Sequence, residues 1–188
     1  RVFMYELFID THYQELVLVL FKDGRIFDKR MKKDGKHSEY FIPLLQELLE
    51  QNSVSFDDLR GIIVINGPGS FTGIRLGVVV AKMISYSKNI PLKALSYLQA
   101  LDLEYDMEVL VGIPDKNGVY VGRFNQDHEL IGDYFYLSNK DWESFGESIL
   151  VDGVLDLNKV YLYMKKQDAI EPHLLKPIYI KKIEVENG

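Results

Sequence analysis

The segment Gly67–Gly73 (GPGSFTG) contains the residue types that could perform chemistry in this sequence. It follows an apolar, β-branched run at Gly61–Asn66 and precedes a stretch with helical periodicity. A strand, a glycine turn and a helix start can together aim backbone amides at an anion. The segment lacks both the Gly-Lys-Ser/Thr ending of a P-loop and the spacing G-x-G-x-x-G. It is therefore either a phosphate site or, as the residue types favour, a tight turn with Ser70 or Thr72 capping the helix.

Other reactive side chains do not form a recognisable set. Asp10 ends an apolar run, where a carboxylate can position a metal or a water, or can equally bond to nearby backbone amides. The four histidines lie far apart in the chain, so no metal site is predicted. They are His12, His37, His128 and His173. There is no G-x-S-x-G elbow and no cysteine. These observations predict no catalytic residue.

Composition sets limits on the class of protein. The chain has 188 residues, of which 47% are hydrophobic and 27% charged, as in soluble globular proteins. Its net charge of −6 argues against a protein that binds RNA or DNA by itself. The first twenty residues contain Glu6, Asp10 and Glu15, unlike a signal peptide, and no apolar run approaches the ~20 residues that cross a bilayer. Together with the lack of cysteine, this predicts a cytoplasmic protein with no membrane segment.

Two groups of three strands are predicted, one at the start of the chain and one in its second half. The first group is predicted at Val2–Ile9, Glu15–Phe21 and Arg25–Met31. The second is predicted at Val109–Ile113, Val119–Phe124 and Leu130–Leu137. Because the second group repeats the first after about 105 residues, the pattern suggests a duplicated domain. Further strands are expected at Ser148–Val151 and Val160–Met164, and a terminal segment, Pro172–Lys181, is expected to pack back on a sheet or a domain junction.

Two helices are predicted in the first half. The first begins near Ser38, a plausible N-cap, and places most of its apolar residues on one wide face. The second, Ile74–Lys88, is apolar on nearly all sides. Such a helix must be covered on more than the one face that its own sheet can bury. The second cover is either the preceding helix or a second subunit, and the pattern does not choose between them.

The sequence around the glycine turn resembles a known family. Asn66–Gly77, NGPGSFTGIRLG, closely resembles the GPGSFTGLRIG signature of the bacterial TsaB (YeaZ) proteins. Ile9–Thr11 resembles the LDTS that opens the family, and His37–Leu44 resembles its HSE…LLPLI helix. Pro177–Ile180 resembles its terminal PVYLR. The match is collinear over residues 9–101 and sparse over the following 70 or so positions.

This resemblance implies a fold and a role. The implied fold is α/β, of the ASKHA (actin-like ATPase/ribonuclease H-like) type, with duplicated lobes that each hold a mixed sheet and flanking helices. We place these lobes at 1–101 and 102–188. The implied role is in making threonylcarbamoyladenosine (t6A) in tRNA, as a non-catalytic subunit that binds and supports the TsaD transferase together with the TsaE ATPase. The resemblance also implies a homodimer when the chain is alone, and contact with tRNA only through the complex.

The resemblance also suggests site residues. TsaB-type proteins pair through two helices, which correspond here to Ser38–Gln51 and Thr72–Lys88. The candidate partner-binding residues are Phe41, Leu45, Leu48, Ile74, Val78, Val79, Ala81 and Met83. TsaD carries metal-binding histidines where this chain has Tyr97 and Leu101, neither of which binds metal as imidazole does, so the resemblance implies no catalytic metal.

A nucleotide-dependent alternative remains. In this alternative the chain is an ATP-binding ASKHA enzyme that uses Asp10 and the Gly67–Gly73 turn. The candidate nucleotide-binding residues are Asp10, Thr11, Gly67, Gly69 and Ser70, with ATP or ADP held only weakly or at the partner interface. A peptidase, an older label for the wider family, lacks a nucleophile–base pair or a zinc motif in this sequence.

Overall fold

A five-stranded sheet in the order β3-β2-β1-β4-β5 forms the larger half of the computed structural model, which describes residues 3–33, 36–151 and 153–180. Its first three strands form an antiparallel meander, and β4 and β5 add to β1 in parallel. The strands are β1 (Tyr5–Asp10), β2 (Glu15–Lys22), β3 (Arg25–Lys33), β4 (Leu59–Ile65) and β5 (Leu92–Leu95). Val2, which we predicted to begin the first strand, lies outside the described residues.

Helices cover both faces of this sheet. α1 (His37–Gln51) and α2 (Phe71–Lys88) pack on one face, where they share a buried cluster with alternate residues of β1, β2 and β4. α3 (Tyr97–Asp102) and a helix later in the chain cover the other face, above Phe8 and Val19. Because side chains alternate along a strand, each face of the sheet presents its own apolar set to its own helices.

The second half contains a smaller sheet, β6-β7-β8, whose neighbouring strands are antiparallel. It comprises β6 (Val109–Pro114), β7 (Gly118–Phe124) and β8 (Phe135–Ser138), followed by α4 (Asn139–Glu143) and α5 (Leu157–Lys165). Leu150 adds one isolated parallel bridge to Val111. Leu98 and Leu101 of α3 pack against this sheet as well, so α3 contacts both halves of the fold. The division into lobes at residue 101 stays a prediction.

Several predicted elements differ from the structure. The predicted strand Val160–Met164 is wrong, because these residues belong to α5. Asp156 caps that helix by accepting from the amides of Asn158 and Lys159, and the helix buries a single face on the sheet. Only the end of the predicted strand Leu130–Leu137 forms β8. α1 begins one residue before Ser38, which is therefore not its N-cap.

The last described residues run along α2. Pro172–Leu174 form one turn of 3-10 helix, and Leu175 is then buried in the core beneath α1 and α2. The Ile178 amide donates to the Asn66 carbonyl at 2.7 Å. The Lys82 Nζ donates to the Leu175 carbonyl at 3.0 Å. These contacts place the segment beside the turn between β4 and α2. Lys181, at the end of the predicted terminal segment, lies outside the described residues.

Candidate functional site

The glycine turn uses its polar groups internally. Ser70 caps α2, since its Oγ accepts from the Gly73 amide at 3.3 Å, as one of our two interpretations predicts. The Ser70 amide donates to the carbonyl of His12 at 2.7 Å. A Cβ on Gly69 would lie 2.0 Å from that carbonyl oxygen, so only glycine permits this approach. The turn therefore binds the loop between β1 and β2, and its geometry is that of a tight corner.

Two further glycines of the signature let α2 lie directly on the end of β1. A Cβ on Gly73 would lie 2.3 Å from the carbonyl oxygen of Thr11, and one on Gly77 would lie 2.4 Å from its Oγ1. Thr11 is fully buried, and within the described part of the chain its hydroxyl has no hydrogen-bond partner. His37 completes the contact by bonding through Nε2 to the carbonyl of Tyr13 at 2.6 Å. The signature thus fixes the position of α2.

The Asp10 carboxylate is bound by its own loop. Its Oδ1 accepts from the His12 amide at 3.0 Å and from the His12 Nδ1 at 2.7 Å, and both residues are buried. This is the local bonding that was one of the two roles expected for Asp10. The His12 ring stacks on Tyr97 with 3.7 Å between centroids. Burial, with the charges of Asp10 and Glu15, raises the pKa of Tyr97 to about 12.

A cavity of about 490 Å³ opens beside the start of α2. Its lining comes from the β1–β2 loop, the starts of α1 and α2 and the smaller sheet, and is mostly apolar. The lining residues are Tyr13, Gln14, His37, Ser38, Gly69, Ser70, Thr72, Gly73, Leu76, Ile113, Pro114, Asp115 and Tyr120. Among these described residues there is no lysine or arginine, and Asp115 is the one carboxylate. The cavity therefore offers hydroxyl and amide groups to a phosphate but no lysine or arginine side chain from its described lining.

The structure does not bring the five candidate nucleotide-binding residues together in one cavity. Gly69 and Ser70 line the cavity of about 490 Å³. Asp10 lines a separate cavity of about 320 Å³ beside His12 and Tyr97. Thr11 and Gly67 line neither cavity. Among the residues that the structure describes, no group of three or more histidine, cysteine, aspartate or glutamate side chains could hold a metal ion.

Burial corrects six of the eight candidate partner-binding residues. Phe41, Leu45, Leu48, Ile74, Val78 and Ala81 are each at most 3% exposed and belong to the core cluster on the sheet. A side chain enclosed by its own chain has no surface left for another protein. The apolar pattern alone could not distinguish the face toward the sheet from the opposite face. Val79 and Met83 are the two candidates that face outward, at 49% and 65% exposure.

These two residues belong to a longer exposed row, which we call the α2 stripe and define as Leu76, Val79, Met83 and Tyr86. Tyr86 is 84% exposed, and Leu76 is half-buried. Their spacing of three, four and three residues keeps them on one side of the helix, as in helices that pack against another helix. Sequence reasoning did not group Leu76 and Tyr86 with Val79 and Met83, although this spacing was the signal that could have done so.

The remaining sides of α2 are covered by its own chain. The sheet and α1 bury one side, and residues 175–179 lie along another. Of the two covers considered from the sequence, α1 is therefore present. It leaves Val79, Met83 and Tyr86 of the α2 stripe exposed. Contiguous exposed apolar side chains of this kind mark interaction surfaces more often than inert surface.

Known proteins resemble this chain in fold and in sequence. A Pseudomonas aeruginosa structure, described as an uncharacterized protein with similarity to peptidase YeaZ, superposes with a TM-score of 0.77 at 19% identity, over 95% of this chain and 100% of that one. The Bacillus subtilis tRNA threonylcarbamoyladenosine biosynthesis protein TsaB is 36% identical over 96 residues, which are 50% of this chain and 41% of that protein. The protein of the same name from Buchnera aphidicola (Acyrthosiphon pisum) is 24% identical over 91% of this chain and 89% of that protein. The chain is thus similar in sequence to TsaB proteins and in fold to YeaZ.

The structural match to YeaZ confirms the predicted α/β fold with flanking helices. A family model described as TsaD, tRNA N6-adenosine threonylcarbamoyltransferase, matches residues 32–113. That range holds α1, the glycine turn and α2, so the region shared with the TsaD model includes the α2 stripe. None of the helices in the described residues has the length and hydropathy needed to span a bilayer.

Proposed function

We propose that this chain is a non-catalytic subunit in t6A biosynthesis that binds a TsaD-type threonylcarbamoyltransferase and supports it together with the TsaE ATPase. Sequence similarity to TsaB proteins, which are named for tRNA threonylcarbamoyladenosine biosynthesis, supports the pathway. The single observation that carries the subunit role is the α2 stripe, an exposed apolar row on a helix whose other sides are already covered.

Burial of the α2 stripe would contribute enough free energy to stabilise a complex. Burying a large apolar side chain that was fully exposed contributes about 1.5–3 kcal/mol. Val79, Met83 and Tyr86 are each at least 49% exposed, and a partner that covers them recovers a substantial part of that free energy. We propose that the same stripe pairs two copies of this chain when no transferase is present, and that tRNA contacts the chain only through the complex.

The alternative, an ATP-binding enzyme, has less support from the site. Its candidate carboxylate, Asp10, bonds to His12, and the cavity beside Ser70 has no lysine or arginine among its described lining residues. A triphosphate normally requires such a cation or a bound metal for its charge. We therefore propose that this chain binds ATP or ADP weakly, or only where a partner completes the site. ATP hydrolysis by the purified chain above the buffer rate would favour the enzyme instead.

The test of the subunit role is co-purification with the transferase encoded by the same genome. Met83→Glu should abolish the complex, because a contact that buries an unpaired carboxylate costs several kcal/mol. Leu162→Glu is the matched control, since Leu162 is 60% exposed on α5, on the other side of the sheet. The control should bind like the wild type. A Met83→Glu variant that is folded and still co-purifies would reject the stripe as the docking surface.

A further inference from the structure

Arg75 is held in a fixed position beside the α2 stripe. Its guanidinium carbon lies 3.8 Å from the centre of the Phe71 ring and 5.9 Å from that of Tyr179. Its Nε donates to the Tyr179 hydroxyl at 2.9 Å. The two rings are themselves 5.4 Å apart. Stacking and one hydrogen bond thus orient a planar group before any partner arrives, which reduces the entropy lost on binding.

The Arg75 guanidinium has no acidic partner in the described part of the chain. Among the described residues, no carboxylate lies within 4 Å of Arg75, and its single hydrogen bond uses one of five N–H donors. Two other arginines form ion pairs with carboxylates. Arg30 pairs with Asp28 and Glu47, and Arg123 pairs with Glu108 and Glu147. Arg75 is exposed, and so are the two rings that hold it. Its other N–H donors bond to none of the described residues, and the two rings orient the plane of the guanidinium.

Position connects this group to the docking surface. Arg75 lies one turn before Val79 on α2, so both are on neighbouring parts of the same face. Arginine, aromatic residues and methionine are the side chains enriched at protein interfaces. An RNA partner is less suitable, because the row beside Arg75 is apolar and the chain carries a net charge of −6.

We propose that Arg75, oriented by Phe71 and Tyr179, binds an aspartate or glutamate side chain of the protein that docks on the α2 stripe. This inference rests on the proposed function and adds the chemistry of the partner to it. The planar guanidinium can donate two parallel hydrogen bonds to one carboxylate, so the pair fixes the partner's orientation along α2. The apolar stripe supplies contact area, and Arg75 supplies specificity.

The test measures the dissociation constant between this chain and the transferase encoded by the same genome. Arg75→Gln should weaken binding about 10- to 100-fold, the loss expected for a charge-assisted hydrogen-bonded pair. Arg75→Lys should lie between wild type and Arg75→Gln, because lysine keeps the charge but lacks the fork. Arg123→Gln is the matched control, because it removes an arginine on β7 of the smaller sheet, and it should bind like wild type. Raising the salt concentration should weaken the wild type more than Arg75→Gln.

A charge exchange separates recognition from a role in holding residues 175–179. Arg75→Glu should lose binding, and one Asp→Arg or Glu→Arg variant on the docking face of the transferase should restore it. A purely structural role for Arg75 would give no such rescue. Equal binding by Arg75→Gln and wild type would overturn this inference and leave the proposed function intact. A wild-type chain that does not bind the transferase would overturn both.

Discussion

Gly77→Ala tests whether α2 lies directly on the end of β1. The new Cβ would sit 2.4 Å from Thr11 Oγ1, inside van der Waals contact, and Thr11 is fully buried with little room to move. Overpacking of this kind costs about 1–3 kcal/mol. Replacing a helical glycine by alanine returns about 1 kcal/mol through helix propensity. We therefore expect a net loss of about 0–2 kcal/mol in the free energy of unfolding.

A double-mutant cycle tests whether the contact with Thr11 determines the sign of the stability change caused by Gly77→Ala. Thr11→Ala removes the hydroxyl oxygen that clashes, so Gly77→Ala should become stabilising by up to about 1 kcal/mol in that background. Thr11→Ser keeps the oxygen and is the matched control, in which Gly77→Ala should again destabilise. The assay is equilibrium urea unfolding followed by circular dichroism, where the midpoint reports stability if the slope is unchanged. Equal stabilisation by Gly77→Ala in all three backgrounds would refute the close approach of α2 to β1.

The remaining predictions concern Leu48 in the core and Tyr97, whose ring stacks on His12. Leu48→Ala should cost about 2–5 kcal/mol of unfolding free energy, as for a fully buried leucine, while the folded fraction still binds the transferase; loss of binding without loss of stability would restore Leu48 as a contact residue. Because the pKa of Tyr97 is raised to about 12 in the folded chain, its contribution to stability should be complete below about pH 10 and should fall as the pH rises toward 12. Tyr97→Phe should flatten this alkaline decline in a urea-unfolding series, and an unchanged decline would assign it to other groups.

Elements with strong local patterns were predictable from the sequence. The meander at β1–β3, the Ser70 cap and the second helix follow from alternation, a turn signal and an N-cap residue. The pairing of Asp10 with His12 was also accessible, because the two residues are two positions apart, a spacing at which aspartate often bonds to its own loop.

Features that depend on tertiary placement were not predictable. Val160–Met164 has the aromatic and β-branched composition of a strand, but packing on the sheet makes it a helix. Equally, a helix that is apolar on most sides does not reveal which residues face the sheet, so Val78 and Val79 looked alike. The contact of Arg75 with Tyr179 joins residues 104 positions apart, and no local pattern indicates it.

Single-cysteine labelling tests the docking surface most directly, because the chain contains no cysteine of its own. Met83→Cys introduces one thiol on the α2 stripe, and Leu162→Cys introduces one on α5 as the control. The rate of maleimide labelling is measured for each variant alone and with saturating transferase. We expect the transferase to slow labelling at position 83 and to leave position 162 unchanged. Equal labelling rates at position 83 with and without bound transferase would contradict the account.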